Sequence, residues 1–224
     1  MKNPDIAERI ALVTGGGGRF GQSLCQALAA RGCKVLVGDC DMVKGREAAA
    51  RCGGVALGLD VTDAAMWMNV HQTARDMFGP IGLIFHCANL MEEPAAEQDA
   101  LNRLWATQVG ALELAEAAWG DEGVETGGVH VLFVSAAAWM PDPRRPMWSA
   151  TQAAKRHWHT GKQLNSQQSP HSMLVAYDVP PKPGRLSDDR EIAAATLWGL
   201  KRRTPQVFVP GGFGVKGFCR KSAY

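Results

Sequence analysis

The stretch "RIALVTGGGGRFGQSLCQALAARG" constrains this chain more than any other feature. A short apolar run of strand type breaks into four glycines, and the residues that follow have helical spacing up to Gly32. Gly16, Gly18 and Gly21 stand in G-x-G-x-x-G spacing between that strand and that helix, and a second apolar run, "CKVLVGD", ends in Asp39, eighteen residues after Gly21. Glycines at these positions let backbone approach a pyrophosphate at the positive end of a helix, and a carboxylate after the second strand can bond ribose hydroxyls. The spacing therefore predicts a dinucleotide-binding turn. Asp39 predicts NAD(H) over NADP(H), because it would repel a 2′-phosphate.

The remaining chain continues the alternation. "EAAARCG" reads as helix, "GVALGLDV" as strand, "TDAAMWMNVHQTARDMFG" as amphipathic helix and "GLIFHCA" as strand. A helical region from about Ala95 to Trp119 precedes the strand "VHVLFVS", residues 148 to about 168 are again helical, and "SMLVAYDV" and "PQVFVPGG" supply late strands. Strands that alternate with helices imply a parallel sheet covered on both faces, here an α/β, Rossmann-type, doubly wound single domain over residues 1–224. The 46% hydrophobic content of 224 residues suffices for one core.

Composition excludes several classes. The formal charge is +2, and basic residues cluster only at 201–203 and in the tail, so nucleic-acid binding is not expected. Six cysteines (Cys25, Cys33, Cys40, Cys52, Cys87, Cys219) form no C-x-x-C pair and follow no secretory signal, which predicts a reduced, cytoplasmic chain without a structural metal. No apolar run reaches the roughly 18 to 20 residues that cross a bilayer.

The motifs "TGGGGRFG", "VGDCD", "DVTD", "HCAN", "VLFVSAAAW" and "WSATQAAK" together resemble the short-chain dehydrogenase/reductase family over nearly the whole chain. Thr14, Gly15, Gly18 and Gly21 look like the T-G-x-x-G-x-x-G of its extended and atypical members, with Arg19 either holding a phosphate or crowding it. The resemblance implies a nucleotide site at Gly15, Gly18, Arg19, Phe20, Gly21, Asp39, Asp60, Val61 and Ala88, and assembly as a homodimer or homotetramer. Such an assembly would use the helices bearing Trp105 and Trp119 and bearing Trp148 and Trp158, and the reading of an inactive member adds a protein partner to the expectations.

Active members of the family use a tyrosine to move the substrate proton and a lysine four residues on to tune it. Aligning "WSATQAA" with that motif places Trp148 at the tyrosine and Gln152 at the lysine, Ala136 at the family serine next to Ser135, and Thr107 at the family asparagine. An indole N–H only donates, and a glutamine amide carries no charge. Asn89 replaces a family glycine. The resemblance thus implies a catalytically inactive, nucleotide-binding regulatory or structural protein, its cleft filled by Trp139 and Trp148. The alternative is an unusual NAD-dependent oxidoreductase, or a lyase or isomerase, with relocated acid/base groups, for which Tyr177 and Asp178 at a strand end are the candidates. His157 and His159 read as surface or interface residues that face different directions, and His86 and Cys87 as packing at the end of a buried strand.

Overall fold

The computed structural model describes residues 6–90, 97–165, 171–177 and 188–209. Seven strands lie in them: β1 (Ile10–Thr14), β2 (Lys34–Asp39), β3 (Val55–Gly58), β4 (Ile81–His86), β5 (Val129–Ser135), β6 (His171–Tyr177) and β7 (Gln206–Phe208). All pair in parallel, in the order β3-β2-β1-β4-β5-β6-β7. The order reverses between β1 and β4. Above the carboxyl ends of those two strands lies the crevice in which open α/β sheets bind ligands.

The helices are α1 (Arg19–Ala29), α2 (Met42–Cys52), α3 (Ala64–Met77), α4 (Gln98–Trp105), α5 (Ala111–Glu125), α6 (Pro146–Leu164) and α7 (Asp189–Arg202). Side chains alternate across each strand, so the sheet has two apolar faces. Val13, Val37, Phe85, Phe133 and Val175 meet Leu24 and Leu28 of α1 and Ile192 and Leu197 of α7. Leu12, Leu36 and Ile84 meet Trp67 and Val70 of α3 and Ala115 and Trp119 of α5, and Leu132 and Leu174 continue that face beneath α5 and α6. Trp67 and Trp119 are fully buried there, and their indoles donate to Val61 O at 3.0 Å and Ile81 O at 2.9 Å.

Local chemistry sets the ends of the helices. Asp41 and Asp63 accept from the first free N–H groups of α2 and α3, Asp188 and Glu191 form a reciprocal cap on α7, and Pro146 occupies the first turn of α6. A π-helical turn at Ala106–Gly110 divides the long helical region, which breaks at Gly120 (φ +46°), directly after the expected end at Trp119, before a further helical stretch to Glu125. The extra residue in that turn directs Gln108 into the interior. The helix expected to reach residue 168 is described to Leu164, and the last residues of the "SMLVAYDV" strand, including Asp178, lie outside the described residues. Among the described residues, no helix is long and apolar enough to cross a membrane.

Candidate nucleotide crevice

The turn after β1 is shaped by contacts that only glycine permits. Gly15 has φ +60°, and a Cβ there would stand 2.7 Å from Ala88 Cα, so the turn rests directly on the backbone leaving β4. At Gly21 a Cβ would come within 2.4 Å of Gly15 O, which is how α1 starts against the turn. Gly18 is the N-cap of α1 and brings no side chain to the helix terminus; a Cβ there would meet only Gly15 O, at 3.2 Å. The N–H groups of the first helical turn are therefore available to an anion.

Other groups are brought to the same edge. Asp39 accepts from Gly17 N at 2.8 Å and from Asp41 N at 2.9 Å, which fixes its carboxylate beside the glycine turn. Thr14 ties the ends of β1 and β4 together, donating to Phe85 O and accepting from Ala88 N. Asp60 accepts from both the N–H and the hydroxyl of Thr62, and Val61 is buried beside Trp67. Two residues depart from the expected arrangement. Arg19, its side chain 90% exposed, pairs with Asp189 of α7 at 3.2 Å. Phe20 turns its ring into the core, edge-on to Phe133 at 4.7 Å, and presents only backbone to the crevice.

On the other side of the crevice, the inward stripe of α6 is unusually polar: Trp148, Thr151, Gln152, Lys155 and His159 are all buried. Trp148 is 1% exposed, packed on Leu104, Ala137 and Met147 beneath the Arg145 guanidinium, which sits 4.3 Å from its ring. Gln152 accepts from Ser135 N at 3.2 Å and donates to Gln108 Oε1 at 3.5 Å. The Gln108 amide donates in turn to Asn89 Oδ1 and to Leu90 O. Lys155 is 2% exposed and donates to Gln108 Oε1 at 3.3 Å, and burial pushes its amine down to about 8.

Residues 9–176 match the family described as short chain dehydrogenase. The chain belongs to that family. It is 31% identical over 160 residues to the 2,5-dichloro-2,5-cyclohexadiene-1,4-diol dehydrogenase of Sphingobium indicum, a match that covers 67% of this chain and 64% of that enzyme. Among solved structures, the 3-ketoacyl-(acyl-carrier-protein) reductase from Brucella melitensis complexed with NADH superposes with a TM-score of 0.81 at 20% identity, over 92% of this chain and 98% of the other. A short-chain dehydrogenase from Sphingobium yanoikuyae in complex with NADPH gives 0.80 at 22% identity, over 95% and 92%. At those identities the superpositions show the shared fold.

Within this dehydrogenase-family fold, several sequence expectations are corrected. Trp139 packs on Phe208 at 5.7 Å, under the Arg156 guanidinium, on the α5 and α6 face of the sheet. Trp119 and Trp148, on two of the helices expected at a subunit contact, are themselves buried in the chain's own interior, where neighbours on α3, α4 and β4 supply the apolar surface they need. His159 is not a surface residue; it is buried with Nδ1 2.9 Å from Ser172 Oγ, and burial lowers its pKa to about 4. His157 is exposed, as expected. Tyr177 does end β6, but it packs against the core on the α1 and α7 side, across the sheet from the α6 stripe. Ser135 is spent as the cap of the turn at Ala136–Ala138.

The residue that sequence reasoning misses is Lys155. The family alignment puts an uncharged amide where the cation belongs, and the structure supplies a different cation from the next turn of the same helix. The signal was present: positions 148, 152, 155 and 159 recur at helical spacing, and a lysine on that stripe must be buried.

Proposed function

We propose that this chain is a dinucleotide-binding member of the short chain dehydrogenase family that does not move hydride by the tyrosine–lysine mechanism, and acts as a nucleotide-responsive regulatory or structural protein. The observation that carries this reading is the commitment of Trp148 and Gln152 to buried packing and hydrogen bonds, which leaves neither able to exchange a proton with a substrate. Thr107 and Ala136, half-buried at the other two family positions, add no titrating group. When bound, a nicotinamide dinucleotide supplies the hydride carrier. The chain's own part is to hold it, with Gly15, Gly18 and Gly21 shaping the turn, backbone of Arg19 and Phe20 opening α1, and Asp39 facing the adenosine ribose. Asp60, Val61 and Ala88 complete the adenine and nicotinamide walls. The relatives solved with NADH and NADPH support a nucleotide in this crevice.

Calorimetric titration of the full chain tests the binding half of the reading. NADH should bind more tightly than NADPH by on the order of tenfold, equivalent to about 1.4 kcal/mol, and Asp39→Ala should erase most of that difference. No heat with either nucleotide at millimolar concentration would refute it.

We also infer a homodimer or homotetramer. Trp105 of α4 is 37% exposed, and Val124 of α5 and Leu164 of α6 are exposed on the same helical layer, an apolar surface suited to a second copy. Light scattering should give at least twice the monomer mass of 24.1 kDa; a monomer at tens of micromolar would contradict it.

One observation favours a second reading, a working enzyme with relocated acid–base chemistry. Lys155 is a buried amine that titrates near neutrality, a property general acids and bases share. Tyr177, on the other face of the sheet, fits that role less well than Lys155 does.

A further inference from the structure

Four polar side chains from four different elements line up between the sheet and the α5 and α6 layer. Lys162 Nζ of α6 donates to Glu116 Oε1 of α5 at 2.6 Å. The other carboxylate oxygen, Oε2, lies 2.9 Å from His130 Nε2 on β5. His130 Nδ1 is 2.9 Å from His86 Nε2, at the carboxyl end of β4. Both imidazoles are buried, whereas Glu116 and Lys162 reach the outer surface, with side chains 19% and 17% exposed.

The surroundings set the direction of each bond. An ionised Glu116 only accepts, so His130 Nε2 carries its proton toward the carboxylate and His130 Nδ1 accepts from His86 Nε2–H. That leaves the remaining nitrogen of His86, Nδ1, as the lone pair at the β4 end of the string. Burial raises the Glu116 carboxyl, but the bonds from His130 and Lys162 outweigh it and hold the group below the ordinary carboxylate value. Burial pushes both imidazoles down; at His130 the bond and charge of Glu116, with Glu113, oppose that and Lys162 reinforces it, and at His86 the charges of His130 and Lys155 reinforce it. Three indoles wall the string: Trp119 and Trp158 stand edge-on to His130 at 4.8 and 5.5 Å, and Trp67 lies 6.3 Å from His86. Apolar residues would pack in this layer without the cost of burying polar atoms, so four polar groups in register ask for a role.

We propose that Glu116, His130 and His86 are a proton relay, running from the outer face of α5 and α6 through the sheet–helix interface to the carboxyl end of β4, which lets the buried floor of the crevice exchange protons with solvent. A proton taken up at His86 Nδ1 releases the Nε2 proton of His86 to His130 Nδ1, and His130 passes its own Nε2 proton to Glu116, which loses it to water. One proton enters and one leaves. The forward transfer leaves both imidazoles protonated on Nδ1, and from that state the reverse sequence, with Glu116 taking a proton from water, releases the His86 Nδ1 proton beside Cys87 and restores the starting tautomers. The relay therefore gives the crevice acid–base access that does not pass through residue 148, and it stands whether or not a nucleotide is bound.

Side-chain nitrogen NMR of the uniformly labelled, nucleotide-free chain tests this. Both His130 and His86 should be neutral at pH 7 with the proton on Nε2. Exchange of the His86 Nε2 proton with solvent should slow at least about tenfold in Glu116→Gln, while backbone amide exchange across β4 and β5 stays unchanged. His130→Gln, which retains a donor and an acceptor but cannot titrate, should slow it likewise and serves if the first variant does not fold. A wild-type His130 protonated on Nδ1, or a His86 exchange rate unaffected by either substitution in a folded chain, would overturn the relay.

Discussion

Lys155→Met should stabilise the protein at pH 7 by about 3 kcal/mol, a rise in Tm of about 6 to 12 °C for a domain of this size. Lys155 is buried with Gln108 Oε1 as its hydrogen-bond acceptor, and burial lowers its amine to about 8 from the ordinary lysine value. The sign follows from proton counting. Between pH 8 and about 10.4 the unfolded chain binds more protons at this residue than the folded one, so the wild type gains stability as pH rises through that window. The advantage of the methionine variant should accordingly be full below pH 8 and vanish above about 10.4. Thermal melts of both proteins across that range check it. A variant less stable than wild type at pH 7 would mean that the ammonium has an anionic partner and is not a cost carried by the fold.

Restoring the family pair should fail, and should cost stability. Trp148→Tyr with Gln152→Lys would recover a phenol and an amine at family spacing, but Gln152 Oε1 now satisfies the buried Ser135 N–H, and Gln108 already accepts from Lys155. The new ammonium would be buried beside an existing one, with no carboxylate bonded to that stripe among the described residues, a penalty of about 3 to 5 kcal/mol. Tyrosine is also smaller than the indole it replaces between Leu104 and Ala137, which leaves a void. We expect a Tm well below that of wild type and no alcohol oxidation with NAD. A double variant that melts with the wild type and oxidises alcohols would show that the polar stripe is a tolerant relic of the family site.

The fold was legible because periodicity and glycine chemistry report directly on backbone geometry. Gly15 and Gly21 are fixed by contacts too close for any side chain, and the strand runs had to be buried on both faces of a parallel sheet. The crevice was legible only where backbone builds it. Arg19 and Phe20 were readable as positions but not as directions: whether a guanidinium meets a phosphate or Asp189, and whether a ring meets a ligand or Phe133, depends on α7 and β5, which are remote in the chain. The polar layer was least legible. His130 sits in an otherwise apolar strand and Glu116 among alanines, and nothing local says that they meet across 14 residues, or that His86 joins them from 44 residues away.

Absorbance at 340 nm, with the wild-type chain at a concentration comparable to NADH and a broad panel of carbonyl compounds, tests the central claim most directly. Carbonyl reduction requires a proton donor at the developing oxyanion, a contribution on the order of a hundredfold or more in rate, and Trp148 provides no titrating proton. NADH should bind and remain unconsumed with every compound. A decrease in absorbance proportional to protein concentration would contradict the account, and its abolition by Lys155→Met but not by Tyr177→Phe would assign the chemistry to the buried lysine.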